Sequence, residues 1–304
     1  MQKNKKILII GFGSIGRRHY KIIKKFSISN NVKILSSQKQ IPNKVNDFQS
    51  AIKFDPEIII ISTTTNLHLK YVKLVEKYFE NKKVLIEKPL FKNQSKLTTK
   101  RNEYFIGYHF RFDPVINFIR EHVKNQKIYS IISQNYSYLP DWRPKRNYIK
   151  TSSAQKKLGG GVLRDLSHEI DFISWIFGKI KIRFAKNNKI SNLKINTDDN
   201  LLINGWAKNV KDITLSINFF SKILKRKIYI FGNNINIEAD LIAKSVKLFK
   251  KNKIIKKKWK LNHYELNYFN QLKHVISNKN DIAATYEEGL YIMQLINKIE
   301  EFKS

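Results

Sequence analysis

One stretch near the N-terminus sets the architecture of this chain: Ile7-Leu8-Ile9-Ile10-Gly11-Phe12-Gly13-Ser14-Ile15-Gly16-Arg17-Arg18-His19. Its four consecutive aliphatic residues predict a strand that is buried on both faces, as in a parallel sheet. The glycines follow at the spacing of a dinucleotide-binding loop. Gly11 lets the chain turn, Gly13 lets a pyrophosphate approach the backbone, and Gly16 lets the next helix lie close to the strand. That helix would begin near Ser14 and direct its free N–H groups at the anion. A glycine-rich turn alone is weak evidence, but the flanking strand and helix favour a nucleotide cofactor.

The composition excludes several classes of protein. The chain has 304 residues, 42% of them hydrophobic, which predicts two folded domains rather than disorder. No apolar run reaches the roughly 20 residues that a membrane span needs, so no membrane partner is expected. There are no cysteines, which excludes a disulfide framework, a thiolate metal site and a cysteine nucleophile. The basic N-terminus runs directly into the glycine loop, so we do not interpret it as a signal peptide and expect a cytoplasmic protein.

The net charge of +34 raises the question of a nucleic-acid partner. The lysines are spread along the whole chain, which is typical of a compositional bias on exposed positions. The densest run, residues 250–260, alternates with apolar side chains and predicts a surface hairpin strand. We therefore expect no nucleic-acid partner, although the positive surface would favour an anionic substrate or cofactor at low salt.

The loop after the predicted second strand, Val32–Leu35, bears on the choice between NAD and NADP. An acidic residue about 20 positions after the glycines usually binds the ribose 2′-hydroxyl of NAD. This chain has no acid there, and two hydroxyls and an ammonium suit a 2′-phosphate better. NADP is therefore preferred over NAD, with an ordinary polar turn as the alternative; the residues concerned are Ser36, Ser37 and Lys39.

Two further predicted strands end in polar loops that would line the same crevice. Ile58–Ile61 is followed by a hydroxyl-rich loop, and residues 84–86 are followed by Glu87, Lys88 and Pro89. A lysine at the carboxyl end of a central strand could donate to a substrate oxygen and stabilise charge that develops during hydride transfer, although a surface lysine is the simpler interpretation. The first loop contains Ser62, Thr63, Thr64, Asn66 and His68, of which His68 is expected to be structural or next to the cofactor.

A further strand over residues 104–109 leads to Asp113 and Pro114, which predict the cap and first turn of a helix. We place the domain boundary here, with a nucleotide-binding domain over residues 1–112 and a second domain over residues 113–304. The C-terminal helix could pack back on the first domain.

The second half contains a loop and a helix with candidate functional residues. Trp142 and Arg143 lie in a proline-rich loop and suit a sugar face with a nearby carboxylate or phosphate, or serve only packing. Three glycines at 159–161 precede a predicted amphipathic helix that runs to Phe177. On it Asp165 and His168 are one turn apart, so the carboxylate could hold the imidazole in one tautomer for proton transfer. The same spacing is weak evidence for metal ligands, and no metal is predicted.

The remainder predicts an antiparallel sheet and two closing helices. Thr285 and Glu288 form a capping box for the last helix. The predicted strands cover residues 127–138, 201–206, 213–219, 227–231, 235–239, 245–249 and 254–261, and the helices cover 264–276 and 287–302.

In this order the motifs resemble the Gfo/Idh/MocA family, the glucose–fructose oxidoreductase and inositol dehydrogenase group. The matching pieces are residues 11–16 with His19, residues 62–68, Glu87-Lys88-Pro89, residues 107–112, and residues 160–171. The resemblance implies an α/β Rossmann domain plus an α+β domain with a large open, mainly antiparallel sheet, through which subunits often pair. It also implies reversible hydride transfer between NAD(P) and a hydroxyl or keto carbon of a sugar-type substrate.

The resemblance also implies residue roles. Lys88 would bind the reacting oxygen, His168 would exchange the proton, and Asp165 would lie near both, although the family often has three residues where only two separate Asp165 from His168 here. Further substrate contacts would come from His109, Arg111, Trp142 and Arg143. The cofactor contacts would come from Gly11, Phe12, Gly13, Ser14, Ile15, Gly16, Ser36, Ser37, Lys39, Ser62, Thr63, Thr64, Asn66, His68, Glu87 and Lys88.

The segments around Trp142 and residues 166–169 resemble a branch of the family found with bacterial surface-sugar pathways, which implies a nucleotide-linked sugar or a nonulosonate as substrate. The alternative is a sensor that binds NADP on the same fold without catalysis. Intact Lys88 and His168 favour the enzyme.

Overall fold

The computed structural model describes residues 4–302, apart from positions 94, 96, 252, 261, 262 and 278–280. The chain forms two compact units. Unit 1 comprises Met1–Phe112 and Tyr264–Met293, and unit 2 comprises Asp113–His263 and Gln294–Ser304. The predicted second domain is therefore divided, because the chain returns to unit 1 near its C-terminus.

Fifteen strands are present in the described residues: β1 (Ile7–Ile10), β2 (Val32–Leu35), β3 (Lys44–Val45), β4 (Ile58–Ile61), β5 (Lys83–Ile86), β6 (Glu103–Ile106), β7 (Ile128–Tyr138), β8 (Lys181–Asn188), β9 (Asn200–Ala207), β10 (Val210–Asn218), β11 (Phe220–Gly232), β12 (Ile235–Asp240), β13 (Ser245–Lys250), β14 (Lys253–Lys258) and β15 (Ala284–Thr285). The helices of the same residues are α1 (Ser14–Lys25), α2 (Phe48–Phe54), α3 (Thr65–Tyr78), α4 (Pro114–Val123), α5 (Val162–Asp165), α6 (His168–Phe177), α7 (His263–Ile276) and α8 (Tyr286–Glu300). None of these helices is long and apolar enough to cross a membrane.

Unit 1 is built on a seven-stranded sheet in the order β15-β6-β5-β4-β1-β2-β3. All neighbours are parallel except the short β15, which runs antiparallel to β6. The aliphatic runs of β1 and β4 are almost completely buried, as strands covered on both faces must be. Tyr268, Leu272 and Val275 of α7 complete the core around β1. The parallel sheet predicted from the first strand is confirmed, as is the Rossmann domain that the family resemblance implies.

Unit 2 is built on an eight-stranded sheet in the order β14-β13-β12-β11-β7-β10-β9-β8. Only the pair of β7 and β10 is parallel. Along β9, Leu201 and Ile203 are buried while Leu202 and Trp206 are exposed, so one face of the sheet lies in the core and the other is open. This confirms the predicted open and mainly antiparallel sheet.

Several local predictions are also confirmed. Asp113 caps α4 through a hydrogen bond of 3.0 Å from the Val115 amide to its carboxylate. Thr285 and Glu288 form the predicted reciprocal capping box at α8. The lysine-rich run forms β14, an exposed edge strand that pairs with β13. Its predicted last residue, Leu261, lies outside the described residues.

Two predicted elements differ from the structure. The helix expected to run unbroken to Phe177 is two helices, because α5 ends at Asp165 and α6 begins at His168. The hydroxyl of Ser167 donates to the Arg164 carbonyl at 3.0 Å, which competes with helical backbone bonding at the break. The strand expected over residues 104–109 ends at Ile106, because the Tyr108 amide turns back to the Ile106 carbonyl at 2.7 Å.

Candidate active site

Four loops of unit 1 follow four neighbouring parallel strands. The strand order β5-β4-β1-β2 places the carboxyl ends of these strands in a row at one edge of the sheet. In an open α/β sheet this edge is where ligands bind. The structure therefore brings together four groups that the sequence predicts to hold a cofactor: residues 87–88, 62–68, 11–16 and 36–39.

The three glycines of the 11–16 loop are required for different reasons. Gly11 has a φ of +94°, and a Cβ there would lie 2.7 Å from the Thr63 nitrogen. A Cβ on Gly16 would lie 2.2 Å from the Gly11 carbonyl oxygen. These two positions are fixed by the packing of the chain itself. Nothing in the described structure lies within 4 Å of a Cβ built on Gly13, which caps α1. The absence of a side chain at Gly13 therefore leaves open space at a helix N-terminus, which fits a pyrophosphate.

The end of β2 is tied to this glycine loop by Gln38. Its side-chain amide donates to the Phe12 carbonyl at 2.9 Å and accepts from the Arg17 guanidinium at 2.5 Å. Arg17 also lies over the Phe12 ring, with 4.6 Å from its Cζ atom to the ring centroid. Ser36 is half-buried, and Ser37 and Lys39 are exposed. Sequence reasoning did not identify Arg17, because only the fold brings α1 beside the end of β2.

The loop after β4 is held against β1 and against the turn that follows β5. Ser62 is buried and donates to the Gly11 carbonyl at 3.0 Å. His68 is buried, and its ring nitrogens lie 3.1 to 3.2 Å from the carbonyl oxygens of Pro89, Leu90 and Thr63. Burial lowers the pKa of His68, and the hydrogen bonds to these carbonyls oppose that shift only in part. The structure thus gives His68 a packing role, while Thr64 and Asn66 are exposed and Thr63 is half-buried.

Lys88 lies in the turn directly after β5 and precedes Pro89 through a cis peptide bond. Its side chain is half-buried. The preceding Glu87 is buried, and its carboxylate lies 2.7 Å from Nε2 of His19 on α1. Sequence reasoning named His19 only as part of a motif, and the structure shows what it contacts.

His109 and Arg111 are buried in unit 1. The His109 ring stacks on Tyr268 with 4.3 Å between the ring centroids. The Arg111 guanidinium donates to Glu288 at 2.8 Å. These contacts hold both residues within unit 1, and their predicted contact with substrate remains a prediction.

In unit 2, Trp142 and Arg143 end a single 3₁₀ turn that follows β7. The Trp142 ring is 37% exposed and meets the Phe219 ring edge-on, with 5.0 Å between their centroids. Arg143 is half-buried. The Trp142 side chain is therefore partly packed against the sheet and partly exposed, and its predicted contact with substrate stays a prediction.

Asp165 and His168 flank the break between α5 and α6, so they are the last and first residues of two helices rather than neighbours on one. Asp198 holds this segment from the chain before β9. Its carboxylate accepts from the Leu163 amide at 2.9 Å, and its backbone oxygen accepts from the Val162 amide at 3.1 Å. Burial above all, together with the charges of Glu300 and Asp165, raises the pKa of Asp198 to about 6 against the opposing effect of the backbone hydrogen bonds.

A second carboxylate that sequence reasoning missed is Glu169, which follows His168 and is fully buried. It accepts from the side-chain amide of Asn135 on β7 and from Nε of Arg226 on β11, both at 2.7 Å. These bonds attach the first turn of α6 to the sheet, which fixes the backbone of His168. The signal in the sequence was a charged residue on the apolar side of a helix, which requires a buried partner.

The described residues contain no cluster of three or more His, Asp or Glu side chains that could hold a metal ion. The model of the oxidoreductase family's C-terminal alpha/beta domain, that of the Gfo/Idh/MocA proteins, matches residues 120–301. The chain belongs to the Gfo/Idh/MocA oxidoreductase family. Within this family, 146 residues of the chain are 26% identical to levoglucosan dehydrogenase of Pseudarthrobacter phenanthrenivorans. The match covers 45% of this chain and only 37% of the length of that relative.

Solved structures of the Gfo/Idh/MocA type share the fold over nearly the whole chain. Levoglucosan dehydrogenase in complex with NADH superposes with a TM-score of 0.82 at 15% identity, covering 98% of this chain and 96% of that one. The WlbA dehydrogenase of Bordetella pertussis, in complex with NADH and UDP-GlcNAcA, gives a TM-score of 0.74 at 13% identity, covering 98% and 95%. At these identities the superpositions establish the fold.

Proposed function

We propose that this Gfo/Idh/MocA protein is an NAD(P)-dependent oxidoreductase that transfers hydride between nicotinamide and a hydroxyl or keto carbon of a sugar or sugar derivative. The proposal rests above all on the row of four loops at the carboxyl edge of the unit 1 sheet. That row combines an open glycine position at the start of α1 with a lysine after β5. A dinucleotide and a reacting oxygen are the ligands that such a pair suits.

The proposed mechanism assigns one task to each candidate residue. A bound nicotinamide would supply or accept the hydride. The Lys88 ammonium would donate a hydrogen bond to the reacting oxygen and stabilise the negative charge that develops there. An imidazole nitrogen of His168 would take the hydroxyl proton during oxidation and return it during reduction. Asp165 would favour the protonated imidazole through its negative charge.

The cofactor is proposed to be NADP rather than NAD. The loop after β2 has no carboxylate to pair with a ribose 2′-hydroxyl. The structure adds a guanidinium to it, because Gln38 holds Arg17 beside this loop. With Ser36, Ser37 and Lys39, this cation suits a 2′-phosphate, which arginine binds well through its planar set of donors.

The substrate is proposed to be an anionic sugar derivative, such as a nucleotide-linked sugar or a nonulosonate. The names of the structural neighbours support a sugar-type substrate, since they include a levoglucosan dehydrogenase and a dehydrogenase solved with a UDP-sugar acid. Arg143 and the net charge of +34 favour an anion. Trp142 offers a partly exposed ring on which a sugar could stack.

We also propose that two or more copies pair through the open face of the unit 2 sheet. Several large apolar side chains on this face are more than one-third exposed, among them Ile132, Leu202, Trp206 and Phe231. Exposed apolar groups on one face are typical of an association surface. Light scattering on the purified protein would test this, and a monomer at micromolar concentration would contradict it.

Two single variants test the proposed chemistry. Lys88→Ala should abolish turnover of NADP(H) on a panel of sugars and UDP-sugars, while NADP still binds in a fluorescence titration. His168→Ala should lower the rate by about 10² to 10⁴-fold and remove one limb of the pH profile. Lys73→Ala, at an exposed position on α3, is the matched control and should behave as wild type.

The outcomes separate the alternatives. Normal turnover in Lys88→Ala would refute the role of that lysine. Binding of NADP by the wild type without turnover on any member of the panel would favour the non-catalytic sensor. Failure of the wild type to bind either nicotinamide cofactor would refute the proposed function altogether.

A further inference from the structure

Two buried histidines contact the neighbours of Lys88 in the chain, one contacting the residue before it and the other the residues after it. His19 on α1 contacts the side chain of Glu87, the residue before Lys88. His68 on α3 contacts the carbonyl oxygens of Pro89 and Leu90, the two residues after it. Both histidines are at most 1% exposed. The lysine is thus flanked by two anchored neighbours, each held by a helix that starts at the carboxyl edge of the sheet.

The anchor before Lys88 is a tightly enclosed pair. Nε2 of His19 lies 2.7 Å from the Glu87 carboxylate, and both side chains are at least nine-tenths buried. The other carboxylate oxygen lies against Gly107, where a built Cβ would approach it to 2.9 Å. The His19 ring also meets the Tyr268 ring edge-on, at 5.4 Å between centroids. Nε2 of His19 donates to the Glu87 carboxylate, and no hydrogen bond reaches its Nδ1 in the described structure.

The anchor after Lys88 uses both ring nitrogens of His68. Nδ1 lies 3.1 Å from the Pro89 oxygen and 3.2 Å from the Leu90 oxygen, and Nε2 lies 3.2 Å from the Thr63 oxygen. One imidazole therefore joins the turn after β5 to the loop after β4. Both loops belong to the row of four proposed to hold the cofactor.

We propose that His19 and His68 are positioning residues that fix the backbone on both sides of Lys88 relative to the cofactor loops. The chemical role of Lys88 rests on the proposed function above. The proposal that the two histidines fix its backbone does not depend on that function. A lysine side chain has four rotatable bonds, so its ammonium is well placed only if its backbone is fixed. A misplacement of about 1 Å at a reacting group can lower a rate about 10²-fold.

The first test does not depend on turnover. Wild type, His19→Ala, His19→Gln and His68→Ala are treated briefly with acetic anhydride, and acetylation of each lysine is followed by peptide mass spectrometry. His19→Ala and His68→Ala should raise the acetylation rate of Lys88 about tenfold, which is the change that loss of one hydrogen bond can produce. His19→Gln should restore the wild-type rate, because its amide can donate to Glu87 in place of Nε2. The exposed Lys39 is the internal control and should not change.

A second arm uses the enzyme activity. His19→Ala should lower kcat about 10²-fold while the Kd for NADP stays within a few-fold of wild type. The same change made in a Lys88→Ala background, which has no turnover, should leave the Kd for NADP within a few-fold of that of Lys88→Ala alone, because His19 acts through Lys88. A general structural defect would instead lower NADP binding and act equally in both backgrounds.

His19→Ala leaves a buried carboxylate without its partner, which can prevent folding. Glu87→Ala removes the same contact without leaving a buried carboxylate behind, so it serves as the second variant and should also raise acetylation of Lys88. Unchanged acetylation of Lys88 in folded His19→Ala or Glu87→Ala overturns the proposal. Raised acetylation in a protein that turns over no sugar leaves the positioning role intact and refutes only the proposed enzyme.

Discussion

Replacement of Asp198 by asparagine should stabilise the protein, and by an amount that depends on pH. The carboxylate accepts a hydrogen bond from the Leu163 amide at 2.9 Å, which the oxygen of an asparagine side chain can also accept. Burial, with smaller contributions from the carboxylates of Glu300 and Asp165, raises the pKa of Asp198 from 3.8 to about 6. The substitution therefore keeps the shape and the hydrogen bond and removes only the ionisation.

The sign and size of the expected change in stability follow from the pKa of Asp198 in the folded and in the unfolded state. Between about pH 4 and pH 6 the folded state binds a proton at Asp198 that the unfolded state has already released, so stability falls as pH rises through this range. The difference between 3.8 and about 6 corresponds to about 3 kcal/mol at pH 7, as one pKa unit is worth about 1.4 kcal/mol. This is an upper limit, since the side chain is partly exposed. Asp198→Asn should thus match wild type near pH 4 and exceed its stability by up to about 3 kcal/mol at pH 7.

The assay is urea unfolding followed by tryptophan fluorescence at several pH values from about 4.5 to 7. Asp141→Asn, at an exposed position, is the matched control for loss of one negative charge from a protein with a net charge of +34. An advantage of Asp198→Asn that is the same at both ends of the pH range, or a loss of stability at pH 7, would refute the reasoning.

Three further predictions concern the cofactor loops and the half-buried acid Glu76. Arg17→Gln should lower the ratio of kcat/KM for NADPH over NADH about tenfold or more, whereas Lys39→Gln should lower it less; an unchanged ratio in Arg17→Gln would exclude a 2′-phosphate contact. Gly13→Ala should weaken NADP binding in a titration with little change in Tm, while Gly11→Ala should lower Tm, because only the second clashes with the chain; equal losses of Tm would contradict this. Burial would raise the pKa of Glu76, but the hydrogen bonds that it accepts from backbone amides and side chains lower it. Glu76→Ala should therefore reduce the free energy of unfolding by about 1.5 to 3 kcal/mol at neutral pH, and by less as pH falls below about 4.5; a deficit that is independent of pH would argue against an ionised Glu76.

Local sequence was sufficient to predict those features of the fold that depend on only a few neighbouring residues. The aliphatic runs of β1 and β4, the glycine loop, and the caps at Asp113 and Thr285 were all predictable, because burial on two faces, a turn and a cap each depend on residues adjacent in the chain. The family resemblance was predictable for a similar reason, since it rests on short motifs in a fixed order.

Contacts between residues far apart in the chain were not predictable. His19 and Glu87 are separated by 68 positions, and Arg17 and Gln38 by 21. The sequence showed that Arg17 follows the glycines and that Glu87 precedes Lys88. It gave no sign that Arg17 would contact Gln38 at the end of β2 or that Glu87 would contact His19 on α1. The break between α5 and α6 was missed as well, because a buried serine hydroxyl and the attachment of Glu169 to two strands outweigh the local preference for helix.

The amino-acid sequence by itself determined the kinds of secondary structure and the nucleotide-binding class of the first domain. It also identified the candidate catalytic residues Lys88, Asp165 and His168. Tertiary structure alone decided which side chains hold those candidates, because a buried charge or imidazole is stable only beside a partner that folding brings to it from elsewhere in the chain.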